Sequence, residues 1–351
     1  MGADRRVMVQ ITVIIPNYKG INFIEECLSS LYAQEEGTPA YEVLVVDNAS
    51  KDGSVSLIRE KFPQTRLICL EENTGFCHAV NVGIRNSDSP FVLLLNNDTK
   101  VFPDFVKQLY HAMCGRTRTP QNSMDKAKRK AGDKREKDGH ERIFSVSAAM
   151  LMWDRPELMD DAGDTYNLLG WARARGKGKS YVRYQKHCRV FSACGGAALY
   201  RRSVLDEIGL FDENHFAYLE DLDLGYRAGI HGYVNIYEPR ARVIHYGSAS
   251  TGSRYNAWKT RRAAANNVYV IYKNMPLLQL ILNFPFLMAG FLIKFLFFVK
   301  KGMGGLYLKG LLDGLKLCSS PEGKKHKVRF KGKHFIHYLK IQLMLLRGGF
   351  G

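Results

Sequence analysis

Cysteine pairs are missing from this sequence. Its seven cysteines are scattered and none lies in a CxxC spacing: Cys27, Cys69, Cys77, Cys114, Cys188, Cys194 and Cys318. The absence of paired spacing argues against a zinc ribbon or a disulfide framework and favours a reducing compartment. The chain also shows no internal repeat. Its first ten residues carry charges but no apolar signal core, so we expect no secretory signal.

Acidic residues are also scarce. The chain has 351 residues, in which 34 Asp and Glu stand against 51 Lys and Arg, for a formal net charge of +17. This excess indicates an anionic partner, and composition leaves three open: a nucleic acid, a phosphate-bearing substrate or an anionic membrane face. The length suggests one large domain with an appendage.

Three apolar runs stop abruptly at polar residues. Residues 12–15, 41–46 and 92–95 are rich in Val, Ile and Leu, and segments with helical spacing separate them. Such runs are typical of central strands that are buried on both faces, and the alternation predicts a doubly wound α/β sheet. The polar residues that follow would lie at the carboxyl ends of strands, where open α/β sheets bind their ligands.

Two further stretches break this pattern. Residues 115–142 are highly charged with almost no apolar side chains, which predicts a solvated, mobile, basic insertion. Residues 275–293 contain no charged residue, and basic segments with helical spacing surround them. We therefore predict a catalytic domain over residues 1–252 and a basic, apolar, helical region over residues 253–351.

Six stretches follow one another along the chain: VIIPNYKG, VVDNASKDGS, ENTGFCHAVNVGI, LLLNNDT, CGGAALYRRSVLDEIGLFDENHFAYLEDLDLGYR and VIHYGSAS. In this order they resemble glycosyltransferase family 2, and most closely its rhamnosyltransferase-like enzymes of bacterial surface-polysaccharide synthesis. The resemblance implies the GT-A fold, a Rossmann-like, mostly parallel central sheet with helices on both faces. It also implies an inverting, metal-dependent enzyme that transfers a sugar from a nucleoside-diphosphate donor to a hydroxyl of a glycan or lipid-linked acceptor. Rhamnose is the sugar that the subgroup suggests.

The resemblance places the dTDP- or UDP-linked donor at the strand ends. Asp47 matches the position that holds the uracil or thymine, and a carboxylate there can accept the imide N–H of the base. An Asx turn with Ser50 is the structural alternative for Asp47. The other residues expected around the donor are Pro16, Asn17, Ser50, Asn73, Gly75, Asn81, Asn96, Asn97, Gly195 and Gly196. For Asn81, an ordinary place on a helix surface is the alternative.

Asp98 matches the metal-binding acid of the family's DxD element, but Asn96 and Asn97 before it are neutral. A single carboxylate is a weak cation site, so a second ligand is required. His245 matches a family position that can supply it, although a lone His is often a hydrogen-bonded structural residue. A mixed carboxylate–imidazole pair suits Mg²⁺ or Mn²⁺.

Glu220 and Asp221 match the family's ED element, in which the Asp is the general base. Inversion requires a carboxylate that takes the proton of the acceptor hydroxyl. The structural alternative is an acidic cluster that the dipole of a helix N-terminus stabilises. Arg227, seven residues after Glu220, fits a salt-bridge partner better than a diphosphate contact.

The apolar stretch has Lys and Arg on both sides, which favours a helical region that is embedded in the cytoplasmic leaflet or re-entrant, with its basic residues against anionic headgroups. The enzyme would then act on the cytoplasmic face of the cell membrane. A soluble helical hairpin packed on the catalytic domain is the alternative. Two other functions stay open: a catalytically silent sugar-nucleotide binder, because of the neutral Asn pair, and a nucleic-acid-binding protein, because of the charge. The basic residues cluster in the insertion and the tail without an interleaved aromatic stacking platform, so we expect no nucleic-acid partner.

Overall fold

The computed structural model describes residues 8–115, 142–247 and 256–348. The strands are β1 Ile11–Asn17, β2 Tyr41–Asp47, β3 Arg66–Cys69, β4 Phe91–Leu95, β5 Thr99–Val101, β6 Ile143–Met152, β7 Met159–Asp161, β8 Asp164–Tyr166, β9 Ala172–Ala174, β10 Cys188–Val190, β11 Ala197–Arg201 and β12 Val234–His245. The helices are α1 Ile24–Tyr32, α2 Ser54–Lys61, α3 Phe76–Arg85, α4 Phe105–Met113, α5 Arg202–Ile208, α6 Glu220–Ile230, α7 Ala257–Asn274, α8 Leu277–Lys300, α9 Gly304–Ser319, α10 Pro321–Lys325 and α11 Phe335–Arg347. The basic insertion predicted over residues 115–142 lies almost wholly outside the described residues.

The central sheet has ten strands in the order β10-β12-β6-β11-β4-β1-β2-β3, with β5 on β12 and β7 on β6. It is parallel through β4, β1, β2 and β3, where Ile14 pairs with Leu44 and Leu94. The sheet as a whole is mixed, because β11 runs antiparallel to both β4 and β6. A parallel pairing of β6 and β11 would need a long crossover between them, usually a helix. The longest helical segment between these strands is a four-residue 3₁₀ turn, in keeping with their antiparallel pairing.

The parallel strands are buried on both faces, as their continuous apolar runs predicted. Val13 and Ile15 of β1 pack into the core under α1 and α4. Ile14, between them, packs into the core under α3, α5 and α6. The helices therefore cover both faces of the sheet and leave its carboxyl edge for the polar residues that end the strands.

Helices α7 and α11 share a core with the catalytic half of the chain. Tyr226 and Ile230 of α6 belong to one buried cluster with Val270 of α7 and Ile341 of α11. The boundary predicted at residue 252 remains a prediction about domains. In the described residues, the helices that follow it complete the packing around α6.

A buried ion cluster joins α7 to α6. Lys273 Nζ lies 2.7 Å from Asp212 Oδ2 and 2.8 Å from Asp223 Oδ2, and the lysine side chain is 3% exposed. Arg227 Nε donates to the same Asp223 oxygen at 3.0 Å. Burial alone raises the pKa of Asp223, but Lys273 and Arg227 outweigh it and hold that pKa well below the ordinary value. The carboxylates of Asp212 and Asp223 are therefore ionised, and the positive charge of Lys273 compensates their negative charge.

We expect Lys273→Met to lower the free energy of unfolding by about 3–5 kcal/mol, because it leaves buried carboxylate charge without its partner. The loss should shrink as the pH falls below about 4, since an Asp with a lowered pKa stabilises the fold only while it is ionised. Urea unfolding in detergent measures the change. Lys61→Met is the matched control: Lys61 pairs with Glu25 at the exposed surface, and such pairs contribute about 0–1 kcal/mol. Equal effects of the two substitutions would contradict the buried-pair account.

Candidate active site

A cavity of about 940 Å³ opens at the carboxyl ends of β1, β2 and β4. It collects most of the site residues predicted from the sequence, on six separate segments of the chain. Those that line it are Pro16, Asn17, Asn73, Gly75, Asn96, Asn97, Asp98, Gly195, Gly196, Glu220, Asp221 and His245. Three predicted residues are not part of the lining: Asp47, Ser50 and Asn81.

The β1 end of the cavity is built on Asn17. Its Nδ2 donates to Asp47 Oδ1 at 2.7 Å, and its Oδ1 accepts from Asn97 Nδ2 at 2.7 Å. Asp47 Oδ2 accepts the backbone N–H of Ser50 at 3.1 Å, the Asx turn that was its structural alternative. Asp47 and Ser50 thus lie directly behind Asn17 and fix its amide. A direct contact of Asp47 with a base stays a prediction.

Asn48, which the sequence analysis did not select, ties the end of β2 to the loop before α3. Its Nδ2 donates to Asn73 Oδ1 at 3.0 Å and to the carbonyl of Gly75 at 3.1 Å, and its Oδ1 accepts the N–H of Thr74 at 3.0 Å. Gly75 has φ 91°, and an added Cβ would meet the Phe216 carbonyl at 2.8 Å. Only glycine therefore fits where this loop meets the segment before α6.

Asp98 and His245 lie side by side at the corner between β4, β5 and the end of β12. His245 Nε2 is 3.3 Å from Asp98 Oδ1, and His245 Nδ1 is 2.8 Å from Asp160 Oδ2. Burial lowers the pKa of His245, but hydrogen bonds to Asp160 and Asp98 outweigh it and raise that pKa to about 9. Asp160 orients the ring so that Nε2 faces Asp98, an outer-shell arrangement common among histidine metal ligands.

Once the imidazole has given up its proton to an arriving cation, this pair fits two ligands of that cation, one carboxylate oxygen and one imidazole nitrogen. Within residues 8–115, 142–247 and 256–348, no group of three or more His, Cys, Asp or Glu side chains is arranged to hold a metal ion. The other coordination positions would therefore fall to a bound substrate and to water, as is usual for Mg²⁺ at phosphate sites.

Asp221 faces the cavity from the first turn of α6. Its Oδ2 lies 3.4 Å from the backbone N of Gly195, and its Oδ1 accepts the N–H of Leu222 at 2.7 Å. Burial raises the pKa of Asp221, which makes it a stronger proton acceptor than an exposed aspartate. Burial, followed by the charge of Asp221, raises the pKa of Glu220 to about 8. Glu220 is therefore protonated at neutral pH, and the pair carries a single charge.

The segment that leads into α6 has an unusual backbone. Phe216, Tyr218 and Leu219 have φ of 60°, 74° and 65°, in the left-handed region that L-residues rarely adopt. Phe216 is the centre of a γ-turn, with ψ −59° and a 2.6 Å bond from the N of Ala217 to the carbonyl of His215. Such residues cost about 1–3 kcal/mol each and persist only where the surroundings hold them. All four residues from 216 to 219 line the cavity.

Asn81 and Arg227 are structural. Asn81 is 1% exposed, its Nδ2 donates to the carbonyl of Phe211 at 2.8 Å, and its Oδ1 accepts the N–H of the same residue at 3.1 Å. Asn81 does not line the cavity, and its contact with the donor stays a prediction. The alternative on a helix surface is wrong, because α3 turns this residue toward the segment before α6. Arg227 pairs with Asp223 and donates to the carbonyls of Ile208, Gly209 and Leu210, so the salt-bridge interpretation is confirmed.

The cavity also includes residues that the sequence analysis missed. Two acids come from β7 and β8 and two cationic side chains from β9 and α7: Asp160, Asp164, Arg173 and Lys259. A signal existed for the acids, since residues 160–164 read DDAGD, a second acidic cluster in a basic chain. No sequence signal indicated Lys259, because it lies 14 residues beyond His245 in a segment that the sequence analysis placed in a separate region.

Comparisons with known proteins identify the family of the chain. The model of the family described as glycosyl transferase family 2 matches residues 12–209, more than half of the 351-residue chain, and that of glycosyl transferase family group 2 matches residues 167–311. The N-acetylglucosaminyl-diphospho-decaprenol L-rhamnosyltransferase of Mycobacterium tuberculosis is 28% identical over 259 residues, which is 68% of this chain and 77% of that enzyme. The succinoglycan biosynthesis protein ExoO of Rhizobium meliloti is 32% identical over 100 residues, 28% of each chain.

Among solved structures, GalNAc-T7 in complex with UDP, GalNAc and Mn²⁺ superposes with a TM-score of 0.56 at 14% identity. The match covers 77% of this chain and about half, 48%, of that chain. At this identity the likeness concerns the fold, and the GT-A fold predicted from the sequence is confirmed. The predicted glycosyltransferase function is also confirmed, and the comparisons do not favour a silent binder or a nucleic-acid-binding protein. By the extent of its family match, the chain belongs to glycosyl transferase family 2.

Proposed function

We propose that this enzyme transfers a sugar, with inversion, from a dTDP- or UDP-linked donor to a hydroxyl of a lipid-linked acceptor in cell-surface polysaccharide synthesis. One observation carries the proposal: a half-buried carboxylate with a raised pKa, Asp221, and a carboxylate–imidazole pair, Asp98 and His245, line the same cavity. The name of the mycobacterial relative supports rhamnose as the sugar and a polyprenyl-diphosphate-linked acceptor.

The donor binds along the strand ends. Its base lies against Pro16 and Asn17, with Asp47 and Ser50 holding Asn17 from behind. Its sugar and diphosphate follow the cavity wall of Asn73, Gly75, Asn96, Asn97, Gly195 and Gly196, which Asn48 extends. Arg173 and Lys259 lie in the lining and bring positive charge toward the diphosphate.

The cation is Mg²⁺ or Mn²⁺, held by Asp98 and His245. When bound, it neutralises charge on the leaving diphosphate. Asp160 keeps His245 oriented and Asp98 supplies the anionic ligand, so the protein needs only one carboxylate in the position where two acids are common in the family.

Asp221 is the general base, which takes the proton of the acceptor hydroxyl as that oxygen attacks the anomeric carbon. Its raised pKa and its place at the cavity surface suit this role. Glu220, protonated beside it, contributes no second negative charge that would repel the leaving diphosphate.

We expect Asp221→Asn to lower kcat by about 10²–10⁴-fold while binding of UDP or dTDP changes little, because the amide cannot accept a proton. In the wild-type enzyme, kcat/KM should fall on the acid side at a pH above the ordinary Asp range near 3.9, since the base must be ionised. Transfer from dTDP-rhamnose or UDP-sugars to a polyprenyl-diphosphate sugar is the assay. Asp206→Asn, at an exposed site on α5, is the control. Wild-type transfer by the Asp221 variant would remove this residue from the mechanism.

We expect Asp98→Ala to abolish the dependence of nucleotide binding on Mn²⁺, and Asp160→Asn to weaken Mn²⁺ affinity by about 10–100-fold, the usual effect of losing a partner that orients a ligand. Titration of UDP with and without Mn²⁺ measures both effects. Asp88→Asn, at an exposed position before β4, should behave as wild type. If EDTA leaves the transfer rate of the wild-type enzyme unchanged, the cation site is wrong.

The C-terminal helices bind the membrane surface. Among the described residues, α8 alone is long and apolar enough to cross a bilayer: its 24 residues extend about 36 Å at 1.5 Å per residue. Its outward face is strongly exposed, and Leu277 and Leu278 are each 72% accessible. Amphipathic helices α9 and α11 add exposed apolar residues at helical spacing: Leu308, Leu312, Leu315, Ile336, Leu339, Leu343 and Leu346.

The inward face of α8 is bound to the rest of the protein. This attachment supports a helix that lies in one leaflet over a helix that crosses the membrane. Gln279 accepts from Tyr226 Oη of α6 at 2.8 Å and donates to Gln342 of α11 at 2.9 Å. Asn283 exchanges two hydrogen bonds with the same Gln342. The polar residues that interrupt the apolar run thus face inward. A nucleotide-sugar donor then places this surface on the cytoplasmic face of the cell membrane.

We expect replacement of Leu278, Leu282 and Leu292 by Glu to weaken binding to anionic vesicles by more than about 100-fold, because each buried Leu contributes about 1.5–3 kcal/mol. Flotation with phosphatidylglycerol vesicles measures the binding. The control is Val182→Glu, since Val182 is 77% exposed but lies in the turn before β10. Wild-type protein that stays in solution with these vesicles would contradict the proposal, and a C-terminal tag accessible only from outside the cell would favour a crossing.

A further inference from the structure

The strained segment before Asp221 has its supporting contacts in helix α7. The amide Nδ2 of Asn266 lies 3.0 Å from the carbonyl oxygen of His215, 2.9 Å from that of Ala217 and 2.7 Å from that of Tyr218. An amide nitrogen has two N–H donors, so three carbonyls share them. One side chain, 1% exposed, thus gathers the carbonyls of the left-handed segment around a single point.

Helix α7 is held in place on the same face. Tyr269, Lys273 and Asn274 follow Asn266 at intervals of three, seven and eight residues, which is the spacing of one helix face. Tyr269 Oη donates to Asp212 Oδ2 at 2.9 Å, and Asn274 Nδ2 donates to Asp223 Oδ1 at 2.8 Å. With Lys273, these residues bind both the segment before the strained turn and the helix after it, so Asn266 is presented from a rigid support.

We propose that Asn266 is a positioning residue of the reaction: its amide holds residues 215–218 in the conformation that gives Phe216 and Tyr218 their positive φ, and so fixes where Asp221 enters the cavity. The proposal rests on the proposed role of Asp221 as general base. Asn266 itself does not belong to the cavity lining.

The effect should fall on the chemical step. Asp221 lies in the first turn of α6, three residues after Tyr218, so a segment that relaxes toward ordinary φ values displaces the carboxylate. A displacement of about 1 Å costs about 10²-fold in rate. The residues proposed to hold the base of the donor, Pro16 and Asn17, lie on β1 and have no hydrogen bond to this segment among the described contacts.

The test compares Asn266→Ala with Asn267→Ala, which removes a neighbouring buried amide of the same helix that makes no described hydrogen bond to residues 215–218. We expect Asn266→Ala to lower kcat about 100-fold and to change the Kd of UDP less than about threefold, and Asn267→Ala to change neither by more than about threefold. Asn266→Ser, which keeps one donor, should give an intermediate kcat and serves if the alanine variant does not fold. Each variant is assayed at least about 10 °C below its measured Tm, so that a loss of rate does not reflect unfolding.

A second readout does not depend on activity. The Trp258 ring is 5.6 Å from the Tyr218 ring and 6.0 Å from the Phe216 ring, so its fluorescence reports on the segment. In a background with Trp153 and Trp171 replaced by Phe, we expect Asn266→Ala, and not Asn267→Ala, to change acrylamide quenching of Trp258.

The outcomes separate this inference from the proposed function. Unchanged quenching, or wild-type kcat in Asn266→Ala, overturns the role of Asn266. A loss of UDP affinity equal to the loss of kcat also overturns it, because that pattern indicates general damage to the cavity. If the wild-type enzyme turns over no nucleotide sugar, the proposed function fails instead, while the quenching comparison still decides whether Asn266 holds the segment.

Discussion

The parallel pairing of β4, β1 and β2 is the constraint on which the site depends. Ile14 pairs with Leu94 on one side and Leu44 on the other, and this register brings the ends of three strands to one edge. Each strand is apolar in the residues just before its polar end, so a slip of the register would bury polar side chains or expose apolar ones. The hydrophobic pattern therefore fixes the positions of Asn17, Asp47 and Asp98, and the hydrogen bonds among their neighbours only refine them.

This dependence explains which parts of the site could be predicted. Asp98 and Asp221 follow directly from a strand end and from a recognisable acidic pair, and both line the cavity. Asn81 could not be placed, because which face of α3 meets the segment before α6 is decided by packing between residues 130 positions apart. Asp160 was not predicted for the same reason: it comes to lie beside His245 only when β7 pairs with β6.

The same distinction applies to the fold. Local apolar runs predicted the parallel strands, and the resemblance predicted the GT-A architecture. The antiparallel insertion of β11 between β4 and β6 had no local signal, since the small residues of this strand do not indicate whether it pairs in the parallel or the antiparallel direction. The sequence also placed the helices after residue 252 in a region of their own, because their composition changes there. The composition of these helices indicates that their outer faces are exposed to solvent or lipid. It does not indicate that the inner face of α7 is polar.

Through that inner face, the C-terminal helices have a part in the proposed chemistry. Only two residues separate α7, which carries Asn266 and Lys273, from α8, which carries the exposed apolar face. Helix α8 is in turn fixed to α6 through Gln279 and Tyr226. The surface proposed to meet the membrane and the support of the proposed general base therefore belong to one packed arrangement, and Phe298 of α8 reaches the cavity lining. An acceptor carried by a lipid would approach along the same helices that hold Asp221 in place, so the geometry of delivery and the geometry of catalysis are set by a single packing arrangement.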